Sequence, residues 1–243
     1  MSTPRRLEAR WLGRQRYEPV LALQRQLFQE RQAGSIEDVV LFVEHEAVIT
    51  MGRGSRPQHL LASRDVLGEI GVDLAEVERG GDITLHAPGQ LVCYPIIDLR
   101  PDRCDVRRYV NALADSMRRL VNDYGLDAGL VDGMVGLWVD EDSREHWPGQ
   151  AEAKRLAKIG AIGVRISRWV TMHGYALNLA TDLRLFGLIV PCGISKHPVT
   201  SVEMLTGKPV TVESAVPCAF EHLCSALQME RGSLHDQSQL RLV

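Results

Sequence analysis

The chain has 243 residues, of which 45% are hydrophobic and 24% charged, and its formal net charge is −3. This composition is typical of a globular domain with a sizeable core and argues against a general nucleic-acid binder, which would be basic. No apolar run reaches the roughly 18 residues of a membrane span, and residues 1–10 lack the apolar segment of a signal peptide. The five cysteines include no C-x-x-C pair, so the sequence indicates neither a disulfide framework nor a zinc ribbon. We therefore expect a cytoplasmic protein with neither membrane nor nucleic-acid partners.

The first predicted elements are a helix and two strands. Residues 17–32 place apolar side chains and one glutamine on one face at helical spacing, with Pro19 in the first turn. Strands are predicted at 38–43 and 47–51, and the second runs into a Gly-Arg-Gly loop. The buried face predicted for the helix comprises Tyr17, Val20, Leu21, Gln24, Leu27 and Phe28.

The rest of the chain continues this mixture. The clearest helix covers residues 105–124, where Asp105 can cap the first turn and Gly125 ends the helix. Further strands are predicted at 91–97, 134–139, 158–166 and 169–179, with a polar surface loop at 140–152 and a last helix at 211–228 that contains Pro217.

Strands occur in runs rather than in strict alternation with helices, which predicts an α+β fold. We expect a single catalytic domain over residues 1–230, followed by a polar, disordered tail over residues 231–243.

One segment combines unusual residues at close spacing. Residues 79–90 read Arg-Gly-Gly-Asp-Ile-Thr-Leu-His-Ala-Pro-Gly-Gln and directly precede the apolar run 91–97. A glycine-lined turn beside a buried strand lets a ligand approach the backbone closely. A strained hairpin loop with an incidental histidine is the alternative interpretation.

Five cysteines are candidate nucleophiles, and their surroundings differ. Cys93 lies in an apolar strand, while Cys218 and Cys224 fall on the predicted inner face of the last helix. Cys104 sits in an arginine-rich loop with no obvious base. Cys192 lies between proline and glycine after an apolar run, a position that suits either a projecting thiol or an ordinary turn cysteine.

A thiol nucleophile needs a base or a nearby cation, and Lys158 is a candidate base. Strict alternation along 158–166 puts it on a face with Gly160, Ile162, Val164 and Ile166, where a lysine is costly to charge. A lysine snorkelling at a strand end is the competing interpretation. His86 and His173 could ligate a metal, but no metal-binding spacing is present, and we expect them to shape a pocket instead.

Four ordered segments resemble the lipoyl/octanoyl transferase family. Residues 79–90 are similar to its signature R-G-G-x-x-T-x-H-x-x-G-Q. A second motif of the family matches residues 158–164 together with 173–178. A third, which contains the Pro-Cys-Gly element, matches residues 189–194, and a less strict motif matches residues 44–53. The sequence departs from the family pattern at Ala161, where many relatives carry serine.

The resemblance implies a biotin/lipoate protein ligase-like fold, with mixed or antiparallel sheets flanked by helices. It implies an acyltransferase that moves an octanoyl group from octanoyl-acyl carrier protein, through a Cys192 thioester with Lys158 as base, to a lysine of a lipoyl domain. This is the first step of endogenous protein lipoylation and needs no cofactor. The substrate-binding residues that the resemblance implies are Arg79, Gly80, Gly81, Asp82, Ile83, Thr84, Leu85, His86, Ala161, Ile162, Gly163, Gly174, Tyr175 and Ala176.

The expected acceptors are apo-lipoyl domains of 2-oxoacid dehydrogenase complexes and the glycine cleavage H protein, and the enzyme is expected to act as a monomer without a metal. Two alternatives stay open. An ATP-dependent lipoate–protein ligase would require ATP, and a non-catalytic acyl- or carrier-binding module would form no covalent acyl adduct.

Overall fold

The computed structural model describes residues 5–190 and 197–242, and in this part the chain forms eleven strands and five α-helices. None of these helices is long and apolar enough to cross a bilayer. The strands are β1 Arg6–Gln15, β2 Val39–His45, β3 Val48–Met51, β4 Asp73–Glu76, β5 Ile83–His86, β6 Gln90–Ile96, β7 Gly129–Val131, β8 Met134–Asp140, β9 Leu156–Ser167, β10 Val170–Asn178 and β11 Glu230–Asp236. The helices are α1 Tyr17–Gln32, α2 Arg64–Glu69, α3 Val106–Asp123, α4 Val202–Thr206 and α5 Val212–Leu227.

Two sheets organise the described residues. The larger sheet has eight strands in the order β11-β1-β2-β6-β10-β9-β8-β7, and only its β11–β1 and β1–β2 pairs are parallel. The smaller sheet has the order β4-β3-β5, with β4 parallel and β5 antiparallel to β3. This mixed arrangement confirms the predicted α+β class.

Helices cover both faces of the larger sheet. α3 and α5 bury Leu113, Leu120 and Phe220 in a core cluster with residues of β1, β6, β9 and β10. α1 packs on the other face, where its buried residues are the six that the helical spacing predicts. Asp105 caps α3 as predicted, because its side chain accepts a hydrogen bond from Arg108 N.

The predicted disordered C-terminal tail is wrong for the residues described. Glu230–Asp236 forms β11, which pairs in parallel with β1 from Arg6 to Trp11. Leu234 packs against the main core, and Gln15 Nε2 donates a hydrogen bond to Leu240 O at 2.6 Å. Backbone pairing holds this strand although its side chains are mostly polar, which explains why composition alone indicated a tail.

A β-bulge interrupts the alternation predicted for β9. Leu137 pairs with Gly160 and Trp138 with Lys158, so Ile159 is an extra residue in the ladder. Ile159 lies in the core beneath α3 and α5, against which Ile162 also packs. The predicted face of Lys158, Gly160, Ile162, Val164 and Ile166 is therefore wrong for Lys158, whereas the other four positions all face the main core. The bulge turns Lys158 and Ala161, three residues apart, toward one cavity.

Candidate active site

A cavity of about 470 Å³ lies between the two sheets, and residues 79–86, β9 and β10 form much of its wall. Eleven of the fourteen predicted binding residues line it, and Gly80, Ile83 and Leu85 do not. Ile83 and Leu85 instead pack in the small sheet's core. Three further residues line it: Tyr17, Tyr94 and His173. The eleven are Arg79, Gly81, Asp82, Thr84, His86, Ala161, Ile162, Gly163, Gly174, Tyr175 and Ala176.

Lys158 lines a second cavity of about 330 Å³ that adjoins the first, since Thr84, Ala161 and Ala176 line both. Its side chain is buried, with Nζ donating a hydrogen bond to Val135 O at 2.8 Å and lying 5.4 Å from the centre of the Trp138 ring. The Lys158 amino group thus lies beside a cavity whose wall is partly shared with the first cavity.

The backbone of residues 198–200 runs beside Lys158. Lys158 N donates to Pro198 O and Thr200 N donates to Lys158 O, both at 2.9 Å. The His197 ring meets the edge of the Trp138 ring at a centroid distance of 5.7 Å. The lysine is therefore fixed by main-chain bonds as well as by its side chain.

Arg79 organises the rim of the first cavity. Its guanidinium donates to Thr50 O and to Asp82 O, both at 2.7 Å. A Cβ on Gly52 would lie 2.7 Å from the Arg79 Nη1 atom, so the glycine of the upstream motif makes room for this arginine. The two motifs, residues 44–53 and 79–90, are thus joined into one wall.

Close backbone packing explains the His-Gly pair in β10. A Cβ on Gly174 would lie 2.1 Å from Cys93 O, so only glycine fits there. His173 adopts φ 58°, a conformation uncommon for residues other than glycine. The His173 ring lines the cavity, and its backbone N donates to Gln24 Oε1 at 3.2 Å.

Three buried histidines near the cavity are uncharged at neutral pH. Burial lowers the pKa of His45 to about 3, and the neighbouring His86 lowers it further, because the two imidazoles would repel each other if both took up protons. Burial also lowers the pKa of His86 to about 4 and that of His173 to about 3. Each pKa lies below the ordinary value because desolvation disfavours the imidazolium. Across residues 5–190 and 197–242, no group of three metal-ligating side chains comes together.

Cys192, the predicted nucleophile, lies outside the described residues. Of the other cysteines, Cys93 is buried, and burial raises the pKa of its thiol far above the ordinary range. Burial raises the pKa of Cys224 to about 12. Cys104 is exposed as predicted, whereas Cys218 is exposed against the prediction because it lies off the buried stripe of α5. None of these four lines either cavity.

One polar pair at the rim has no signal in the sequence. His59 Nδ1 lies 2.5 Å from Asp82 Oδ2, and Val190 N donates to His59 O at 2.8 Å. His59 therefore links the 79–86 segment to the strand-like residues just before the Pro-Cys-Gly element. An isolated histidine in a loop gives no periodicity or spacing from which this contact could be inferred.

Comparisons with known proteins show the family and the fold of this chain. The sequence profile described as the lipoyl protein ligase A/B catalytic domain matches residues 16–224, and the chain belongs to this family. An octanoyltransferase of Koribacter versatilis is 44% identical over 208 residues, which cover 85% of this chain and 78% of that protein. Because the similarity to this relative extends over most of both proteins, the chain belongs to the octanoyltransferase family, as the motifs predicted.

Two solved structures show the fold. A bi-partite lipoate protein ligase of Thermoplasma acidophilum superposes with a TM-score of 0.69 at 14% identity, covering 97% of this chain and 89% of that chain. Biotin protein ligase from Aquifex aeolicus gives a TM-score of 0.52 at 12% identity, covering 91% and 70%. The predicted biotin/lipoate protein ligase-like fold is confirmed.

Proposed function

We propose that this protein is an octanoyltransferase that moves an octanoyl group from octanoyl-acyl carrier protein to a lysine of apo-lipoyl domains, with Cys192 as nucleophile and Lys158 as base. The observation that carries the proposal is the buried Lys158 beside two adjoining cavities whose linings include small residues and uncharged rings. The 44% identity to a curated octanoyltransferase supports the acyl group named.

The cavity suits a hydrocarbon chain. Three alanine and glycine positions, Ala161, Gly163 and Ala176, leave space along β9 and β10. From Ala176 to His173 the strand rises about 10 Å, comparable with an extended eight-carbon chain. Burial keeps His86 and His173 neutral, so hydrocarbon beside these two rings does not lie against a charged imidazolium.

The reaction proceeds in two half-reactions. Lys158 accepts the Cys192 thiol proton, and the thiolate attacks the thioester carbonyl carbon of octanoyl-acyl carrier protein. A new carbon–sulfur bond forms to Cys192, the bond to the carrier's sulfur breaks, and Lys158 returns the proton to that leaving thiolate. The acceptor lysine amine then attacks the octanoyl-Cys192 carbonyl, Lys158 takes its proton, and the Cys192 thiolate leaves and is reprotonated.

The enzyme acts as a single catalytic domain and as a monomer, with no cofactor. Lipoyl domains of 2-oxoacid dehydrogenase complexes and the glycine cleavage H protein are the acceptors, and the amide product feeds endogenous lipoylation. Because a thioester is converted to an amide, the transfer is downhill and needs no ATP.

A transfer assay tests this proposal. Purified protein, octanoyl-acyl carrier protein and an apo-lipoyl domain are incubated without nucleotide, and octanoylation of the domain is followed by mass spectrometry. We expect turnover for wild type and for the control Cys104→Ala, whose cysteine is exposed and outside both cavities, but none for Cys192→Ala. Transfer that requires ATP and free octanoate would identify a ligase instead.

A further inference from the structure

A chain of buried hydrogen bonds joins the cavity wall to the strand that carries Lys158. His86 Nδ1 lies 2.7 Å from Gln90 Oε1, and Gln90 Nε2 donates to Asn178 Oδ1 at 2.9 Å. Asn178 Nδ2 donates to Thr200 O at 3.0 Å, and Thr200 N donates to Lys158 O at 2.9 Å. His86, Gln90, Asn178 and Thr200 are all buried, and the mechanism above gives Gln90 and Asn178 no role.

The direction of these hydrogen bonds follows from two backbone carbonyls, Thr200 O and Leu85 O, that can only accept. Thr200 O is a backbone carbonyl, so the Asn178 amide must face it with its NH₂ group. Asn178 Oδ1 then accepts from Gln90 Nε2, which also donates to Leu85 O at 3.3 Å. Gln90 Oε1 is left as an acceptor, and His86 must carry its proton on Nδ1.

Burial makes this arrangement costly to reverse. Turning either amide would set two carbonyl oxygens against each other at a buried position, where unsatisfied polar groups are expensive. Burial also keeps His86 neutral, since it lowers the pKa to about 4. The ring therefore presents Nε2 as its hydrogen-bond acceptor at the cavity wall, where His86 lies.

We propose that Gln90 and Asn178 are positioning residues for the transfer reaction: they hold His86 in its Nδ1–H tautomer and tether residues 198–200, whose backbone bonds to Lys158, to the end of β10. The first part concerns the free protein alone, whereas the kinetic consequence rests on the proposed function. A measurement on the free protein and a kinetic measurement therefore separate failure of this proposal from failure of the proposed reaction.

The tautomer is measured in the free protein by long-range ¹H–¹⁵N spectra of histidine-labelled samples. We expect wild-type His86 to carry its proton on Nδ1 near pH 7 and to stay neutral to about pH 5. Gln90→Glu keeps the acceptor for Nδ1 but cannot donate to Asn178 or Leu85, and its carboxylate should make His86 take up a proton at higher pH. The matched control is Gln29→Glu, an exposed site. Protonation of wild-type His86 on Nε2, or identical His86 titrations in both variants, would overturn the proposal.

Kinetics test the tether. Asn178→Asp keeps the shape and can accept from Gln90 but cannot donate to Thr200 O. We expect kcat to fall about tenfold or more, as for other residues that orient catalytic groups, with the KM for the carrier little changed. Asn111→Asp makes the same change at an exposed site and should keep wild-type kcat. If thermal unfolding shows that Asn178→Asp is not folded, the uncharged Asn178→Ser takes its place with the same expectation. A folded variant with the control's kcat would refute the tether.

Discussion

A single methyl group on Gly136 should displace Lys158. A Cβ on Gly136 would lie 2.5 Å from Lys158 Cε, 3.1 Å from Lys158 Nζ and 2.5 Å from Gly160 O. The Gly160 carbonyl belongs to the backbone of β9 and cannot swing aside. Gly136 also has φ +137°, which residues with a side chain rarely adopt. The lysine side chain and the local strand must both shift to admit an alanine.

We predict that Gly136→Ala lowers the free energy of unfolding by about 2–6 kcal/mol, from about 1–3 kcal/mol of backbone strain and about 1–3 kcal/mol of overpacking. The matched control is Gly133→Ala, where φ is +75° but no atom lies within 4 Å of the added Cβ. The free energy of unfolding of Gly133→Ala should fall by only about 1–2 kcal/mol, the cost of placing an alanine in the left-handed backbone conformation. Urea unfolding measures both losses.

The displacement of Lys158 should also slow octanoyl transfer. Moving a catalytic group by about 1 Å can cost on the order of a hundredfold in rate, so folded Gly136→Ala should transfer octanoate about a hundredfold more slowly than Gly133→Ala. Rates are compared in single turnovers at a temperature where both variants are folded. Equal rates, or equal losses of stability, would contradict the view that Gly136 makes room for Lys158.

Three other predictions use different measurements. Lys158→Arg should be nearly as inactive as Lys158→Ala in the transfer assay, because a guanidinium cannot give up its proton; an active arginine variant would show that only charge is needed. Native alkylation at pH 8 followed by mass mapping should leave Cys93 and Cys224 unmodified, since burial raises the pKa of both thiols. The three buried histidines take up protons in the unfolded chain below about pH 6.5 but not in the folded one, so stability should fall as pH drops from 6.5 toward 4, by up to about 1.4 kcal/mol per pH unit for each. His173→Asn should flatten that dependence of Tm on pH, and an unchanged slope would exclude His173 as a contributor.

The helices show what periodicity can predict. The bounds predicted for α1 are those observed, and α3 differs from its prediction only at its terminal residues. Both helices pair a wide apolar stripe with a clear start and end. β1 was not predicted, although Leu7, Ala9 and Trp11 alternate with charged residues and are buried, which is a readable strand signal. β11 carried none, since it is held by backbone pairing to β1.

The sequence indicated which segments meet at the cavity but not how they are arranged there. The motif at residues 79–90 supplies wall residues of the cavity, as the family resemblance implied. The bulge at Ile159 was not predictable, because alternation assigns faces only while the ladder keeps its register. Tyr17 and Tyr94 line the cavity because elements distant in sequence pack together, and sequence spacing does not encode that packing.

The central claim is that Cys192 carries the octanoyl group between donor and acceptor. Its most direct test is the intact mass of the protein after incubation with octanoyl-acyl carrier protein alone, followed by peptide mapping. The account predicts one added octanoyl group, on the peptide that contains Cys192, and its loss when an apo-lipoyl domain is added. An unmodified protein that nevertheless transfers octanoate, or an adduct on Cys104 or Cys218, would contradict it.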